Sequence, residues 1–303
     1  MFLQWLYPPL PIDALRYARA LQGDCAAPSK IANEDRDETT ISFAYDAGCD
    51  QNLSAAVRAS FEADFRQERR RLNAWCAHAG WIAPALPALQ ASVSPAYKIS
   101  RALVPAWNGK RGFIEFPAWR VAARKAAIVH ELVHVYFPNG NRLSAEGLAI
   151  YLQDLLGGNP AFPNFGRPLH QAARERLSAM VPGFRGDNID ALNAFHLRAL
   201  DAVPTPNPLT LDVAGQFRGE EKEAQAGLYA AAGSFVQFLI ESGGLAKFRE
   251  LYERTPLYAG TVNAGTPGRW LDVYGNSLAD LEDEWKSRLA GALSPLKKEQ
   301  RNA

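Results

Sequence analysis

The chain has 303 residues, 21% of them charged and 48% hydrophobic, with a formal net charge of +1. That is enough chain to bury a substantial core, as one large domain or two small ones. The near-zero charge argues against a nucleic-acid partner, and no apolar run reaches the length of a membrane span.

The first eleven residues are apolar but lack a basic start, and Pro8, Pro9 and Pro11 interrupt them. They read as a packing arm rather than a signal peptide, so a cytoplasmic location is the default, with a periplasmic or secreted one left open. Cys25, Cys49 and Cys76 form no C-x-x-C pair. A Cys25–Cys49 bridge and three free thiols both remain open. A short helix is expected over Ile12–Leu21, then a polar loop over Gly23–Thr39.

Ile41, Phe43 and Tyr45 alternate as a strand. Val57, Phe61, Phe65, Leu72 and Trp75 recur at helical spacing and predict a helix from Leu53 to about Cys76, with Arg69, Arg70 and Arg71 on its solvated face. Pro84 and Pro87 break the chain. Val93, Tyr97 and Ile99 predict a second strand, which Pro95 marks as an edge or an irregular one. Gly112–Phe116 predicts a third.

The next segment runs His130-Glu131-Leu132-Val133-His134. Pro117 suits the start of this helix, and Pro138-Asn139-Gly140-Asn141 its end. Two histidines four apart project from one helical face, where both imidazoles can reach one Zn²⁺. Glu131 flanks that position as a candidate general base. After the turn, Ser144 is expected as the N-cap of a second helix, which puts Glu146 about 3 Å into it. If the two helices fold back on each other, Glu146 arrives level with the histidines. Two His and one Glu leave a fourth position for water, as in catalytic rather than structural zinc sites.

These residues, with Ala145-Glu146-Gly147-Leu148-Ala149-Ile150-Tyr151, resemble the gluzincin metallopeptidases, and among them the peptidase MA-like proteins. The resemblance spans about residues 110–290, supported by Tyr229–Val236 and by Tyr274–Leu278 running on to Trp285. It implies an α+β fold with a thermolysin-like core. A small mixed sheet would lie in an upper lobe at 1–140, ending in the active-site helix, and a mainly helical lower lobe at 141–303 would carry the third ligand. The cleft would lie between the lobes. It implies metal ligation by His130, His134 and Glu146, Zn²⁺ as cofactor and a peptide or protein as substrate. Gly112–Phe116 would border the cleft and pair with the substrate's main chain through free N–H and C=O groups. Glu115 matches the amino-terminus-recognising acid of aminopeptidase N-type enzymes poorly and reads as an ordinary strand carboxylate. Tyr229 is the expected oxyanion donor, taken by comparison with a tyrosine of those enzymes.

Beyond Glu146, a loop is expected over Gly157–Pro168 as a rim for the cleft, with helices at 169–181 and 189–202 and a linker of Pro204, Pro206 and Pro208. A long helix at 219–242 carries Leu228, Phe235, Phe238 and Leu239 and stops at Gly243-Gly244. A Gly-rich loop over Gly260–Gly268 precedes a last helix, capped by Ser277 with Asp280 three on and buried through Leu278, Leu281, Trp285 and Leu289. His78, His170 and His196 stand alone and read as packed or surface residues. A zinc-retaining binding or scaffold protein, or an enzyme acting on a non-peptide amide, is compatible with the same residues.

Overall fold

The computed structural model describes residues 39–51, 53–84, 86, 88–103, 111–139, 141–186, 188–201, 221–254 and 266–291. The expected N-terminal arm, the Ile12–Leu21 helix, Cys25, the proline linker and most of the Gly260–Gly268 loop lie outside them. The described residues are α+β: a small mixed sheet, with helices making up most of the rest. They divide into two compact units. One takes those within Met1–Asn139 and Leu148–Arg167, the other those within Gly140–Gly147, Pro168–Pro256 and Gly260–Ala303.

The first unit is built on four strands, β1 (Thr40–Tyr45), β2 (Ala88–Ser94), β3 (Arg101–Leu103) and β4 (Arg111–Pro117), in the order β1-β2-β4-β3. β1 and β4 run parallel to β2, and β3 runs antiparallel to β4. Helix α1 (Ala55–Ala79) connects β1 to β2. It starts where the Ser54 hydroxyl accepts the Val57 N–H at 3.3 Å, and ends where Gly80 turns left-handed at φ 67°. Phe61 and Phe65, one helical turn apart on α1, meet Phe43 of β1 and Phe116 of β4 in a cluster of edge-to-face rings. Trp75 packs with Trp81 and Phe137 in a second cluster. Cys49 and Cys76 are buried free thiols.

Four expectations need correcting here. β4 is an interior strand, paired with β2 over its whole length and with β3 at Phe113–Glu115, so its backbone groups are not free for a substrate. Among the described residues, the outer strands are β1 and, beside β4, β3. Tyr97 and Ile99 lie past β2, because the chain turns at Pro95-Ala96. The arginine run is a solvated face only at Arg70, which is exposed: Arg69 is buried and donates to Thr39 Oγ1 at 2.7 Å, and Arg71 donates to the Leu156 carbonyl at 3.1 Å. Finally, the helix that Pro117 was expected to open is two helices, α2 (Ala118–Ala122) and α3 (Ile128–Tyr136). Arg124 adopts a left-handed φ of 52° between them, which ends the helical run.

Helix α3 lies against the sheet, and the close approach occurs at Gly112 of β4. A Cβ there would stand 2.5 Å from a Val135 methyl and 2.8 Å from a Leu89 methyl. Helix α4 (Arg142–Leu156) follows α3 after a five-residue connection.

In the second unit, α5 (Leu169–Met180) packs along α7 (Glu221–Gly243). The helix expected at 189–202 is instead a 3-10 segment at Ile189–Ala194 and a single turn, α6 (Arg198–Asp201), because extended backbone at Phe195 interrupts it. Helices α8 (Leu245–Glu253), α9 (Gly268–Tyr274) and α10 (Leu278–Gly291) complete the unit. Ser277 and Asp280 cap α10 reciprocally, the Ser277 hydroxyl accepting from the Asp280 N–H and the Asp280 carboxylate from the Ser277 N–H. Phe235, Phe238, Trp270 and Trp285 are fully buried. The Trp285 indole and His170 Nδ1 both bond the Ser234 hydroxyl, so His170 is a packing residue. No described helix is long and apolar enough to cross a membrane.

Candidate metal centre

Helix α3 is short and strongly apolar, and its N-terminus has no side-chain cap of its own. Its first N–H groups are buried, where an unmet donor would be costly. Two side chains from elsewhere in the first unit approach them. The Gln153 amide oxygen on α4 accepts the His130 N–H at 3.1 Å. Glu68 on α1 accepts the Gly158 N–H at 2.8 Å and faces the Val129 N–H. Burial pushes the Glu68 carboxyl up to about 8, against the pull of those N–H groups and of Arg71. These contacts set the axial position of the helix, and with it the histidines.

From that helix His130 and His134 project together. Their rings meet edge to face with centroids 4.7 Å apart, and their Nε2 atoms are 3.1 Å apart. Both nitrogens cannot carry a proton at that separation, so at least one offers a lone pair. Glu131 is buried beside them.

The expected cap of the following helix is corrected. Asn141, not Ser144, caps α4, its side-chain oxygen accepting the Ser144 N–H at 3.0 Å while its amide donates to Asp201. Ser144 lies inside the first turn. The earlier start leaves Glu146 near the N-terminal end of α4, and the ligand atoms of His130, His134 and Glu146 all lie within 4.8 Å of one another. Among the described residues this is the one group of three or more His, Cys, Asp or Glu side chains so placed.

Glu146 is held by its own surroundings. The Tyr229 hydroxyl on α7 donates to Glu146 Oε1 at 3.2 Å and accepts from Arg142 Nη2 at 2.7 Å. The Arg142 guanidinium also lies 5.5 Å from the Tyr229 ring centroid. Burial and the Glu146 charge together hold the nearby Tyr252 hydroxyl protonated, well above the usual tyrosine range. Tyr229 thus lies at the third donor, with its hydroxyl hydrogen directed to Glu146. Glu115 is ion-paired to Arg101 within the sheet, as suits a strand carboxylate. Among the isolated histidines, His196 faces Glu282 and His78 is exposed.

No protein-family model, curated protein or solved structure matches this chain. The donors stand on their geometry alone. Gln153, Glu68, Asn141 and Arg142 were not singled out from the sequence. Asn141 carried a readable signal, a capping residue three places before Ser144. The others act across 23 to 90 residues of chain, a range at which no local pattern points to them.

Proposed function

We propose that this chain is a zinc-dependent peptidase of the gluzincin kind. The observation that carries the reading is the pair of Nε2 atoms 3.1 Å apart with a carboxylate within 4.8 Å of both. Two nitrogens on one tetrahedral zinc at about 2.0–2.1 Å stand roughly 3.3 Å apart. The histidines therefore fit with almost no adjustment, and the Glu146 carboxylate lies within 4.8 Å of both. Two imidazoles and one carboxylate are the donor set of a catalytic site rather than a closed structural one.

Zinc bound there would supply a Lewis acid that polarises a carbonyl and makes water a stronger acid. Glu131 follows the first donor by one residue and is not among the three. Its carboxylate would accept a proton from the attacking water and return it to the departing amine nitrogen. Tyr229, steadied by Arg142, would orient Glu146, and its hydroxyl hydrogen can turn to an oxyanion only by leaving that carboxylate. An extended peptide seeking a strand partner would find the outer edge of β3 rather than β4.

The test combines metal analysis with digestion of a broad peptide library. The purified protein should hold one zinc, His134→Ala should lose most of it, and Glu131→Gln should keep the metal while hydrolysis falls about 100-fold or more. Equal zinc in the wild type and His134→Ala would remove this site. Full zinc with no hydrolysis of any peptide would favour a zinc-retaining binding protein instead.

A further inference from the structure

The start of α4 offers two capping residues, Asn141 and Ser144, and these two residue types cap helices about equally well. The helix opens at Asn141, whose side-chain oxygen accepts the Ser144 N–H at 3.0 Å and whose carbonyl accepts the Ala145 N–H at 2.9 Å. A start at Ser144 would remove about one turn and put Arg142 outside the helix. Glu146 would then lie in a first turn whose N–H groups have no partner within the helix. With the start at Asn141, Arg142 stays in place to hold the Tyr229 hydroxyl, which in turn donates to Glu146.

A distant residue decides between the two starts. Asn141 is fully buried, so its amide N–H groups need acceptors. The carbonyl and Oδ1 of Asp201 each accept from Asn141 Nδ2 at 2.9 Å, which turns the amide oxygen toward Ser144. Asp201 is itself fixed from several sides. Its Oδ1 is ion-paired with the buried Arg269, and its Oδ2 accepts the Trp270 indole N–H at 3.3 Å. It ends α6, a single turn anchored to α10. There the Leu197 N–H donates to Glu282 Oε2 at 3.0 Å, and Lys286 Nζ donates to the Phe195 carbonyl at 2.6 Å. Asn141 therefore follows Asp201 rather than the reverse. All of these residues, Glu146 included, belong to the second unit.

Resting on the metal reading above, we propose that Asp201 is a positioning residue for the third donor: it selects the α4 start at Asn141 and so places Glu146 for zinc. Asp201 touches neither metal nor substrate. Its effect passes through the Asn141 amide to the first turn of α4, and from there to Arg142 and Glu146. The arrangement needs a donor facing an acceptor between positions 141 and 201, and a negative charge near Arg269. Asn141→Asp and Asp201→Asn made together meet both needs. The carboxylate at 141 still accepts the Ser144 N–H, the amide at 201 donates to it, and the charge stays in the same cluster.

The experiment compares the wild type, Asp201→Asn, Asn141→Asp and the double variant. Zinc affinity is measured by chelator competition, and the urea midpoint and the hydrogen exchange of residues 141–147 are measured on the metal-free protein. Asn141→Asp keeps the cap oxygen and the Arg269 ion pair, so it decides the matter if Asp201→Asn does not fold. Each single variant should bind zinc about 10- to 100-fold more weakly and exchange faster over 141–147. The double variant should recover most of both. Single variants with a lower urea midpoint but wild-type zinc affinity and exchange would mean that Asp201 only stabilises the fold, and would overturn the inference. Losses that the double variant does not recover would overturn it as well. Faster exchange that the double variant reverses, in a protein that binds no zinc, would keep the helix start assigned to Asp201 and count against the metal reading.

Discussion

Glycine at position 147 is required by packing rather than by backbone conformation, and Gly147→Ala tests how tightly Glu146 is located. A Cβ at 147 would stand 2.4 Å from a Val236 methyl and 2.8 Å from the Ala232 carbonyl oxygen on α7. Val236 is fully buried and β-branched, so it has little freedom to turn aside. The carbonyl is part of the α7 backbone and cannot yield without the helix. Relieving the contact separates α4 from α7 by about 0.7 Å at the carbonyl and about 1.1 Å at the methyl, given ordinary contact distances of about 3.5 Å. Overpacking of this kind costs about 1–3 kcal/mol, and alanine's better helix propensity returns about 0.5–1 kcal/mol. The expected net loss is about 1–2 kcal/mol, read as a lower urea midpoint for the metal-free protein. Glu146 moves with its neighbour and away from Tyr229, so zinc affinity in a chelator competition should fall as well. Adding Val236→Ala should restore only part of the loss, since the Ala232 carbonyl remains. A Gly147→Ala protein with the midpoint and zinc affinity of the wild type would refute both the contact and its link to the third donor.

Three further outcomes follow from the same geometry. Tyr229→Phe removes the hydroxyl between Arg142 and Glu146 and should weaken zinc binding about 10- to 100-fold; unchanged affinity in chelator competition would show that Tyr229 does not orient Glu146. Glu146→Gln should weaken zinc binding with the fold retained; an X-ray absorption spectrum showing the same first shell in wild type and variant would place the third ligand elsewhere. Glu68 has a folded pKa of about 8, above its ordinary value of 4.5, so it binds its proton more tightly in the native protein. Its contribution is fully present below about pH 4.5 and is lost as the pH rises to about 8, on the order of 1.4 kcal/mol per pH unit. Glu68→Gln cannot titrate, so its stability relative to wild type should improve between pH 5 and 8 in urea unfolding; a constant difference would mean that Glu68 is not held protonated.

What could be read from the sequence alone was local. The i, i+4 spacing of His130 and His134 places both rings on one face wherever a helix forms, and the apolar residues between them favour that helix. Phe61, Phe65, Leu72 and Trp75 define the buried stripe of α1 in the same way, and Ser277 with Asp280 marks the start of α10. Each of these depends on neighbours within one or two turns. The tertiary structure decided everything that depends on a partner far along the chain. Pairing to β3 made β4 interior, although its sequence suits an edge as well as a centre. The break at Arg124 divided one expected helix into two, because a left-handed residue carries no signature when it is not glycine. The His130 N–H near the start of α3 is met by Gln153, and Glu146 is bound by Tyr229, through contacts that chain folding creates and residue spacing does not encode. The arginines show the same division: Arg69, Arg101 and Arg142 are alike in sequence, but burial and a distant partner give them different roles.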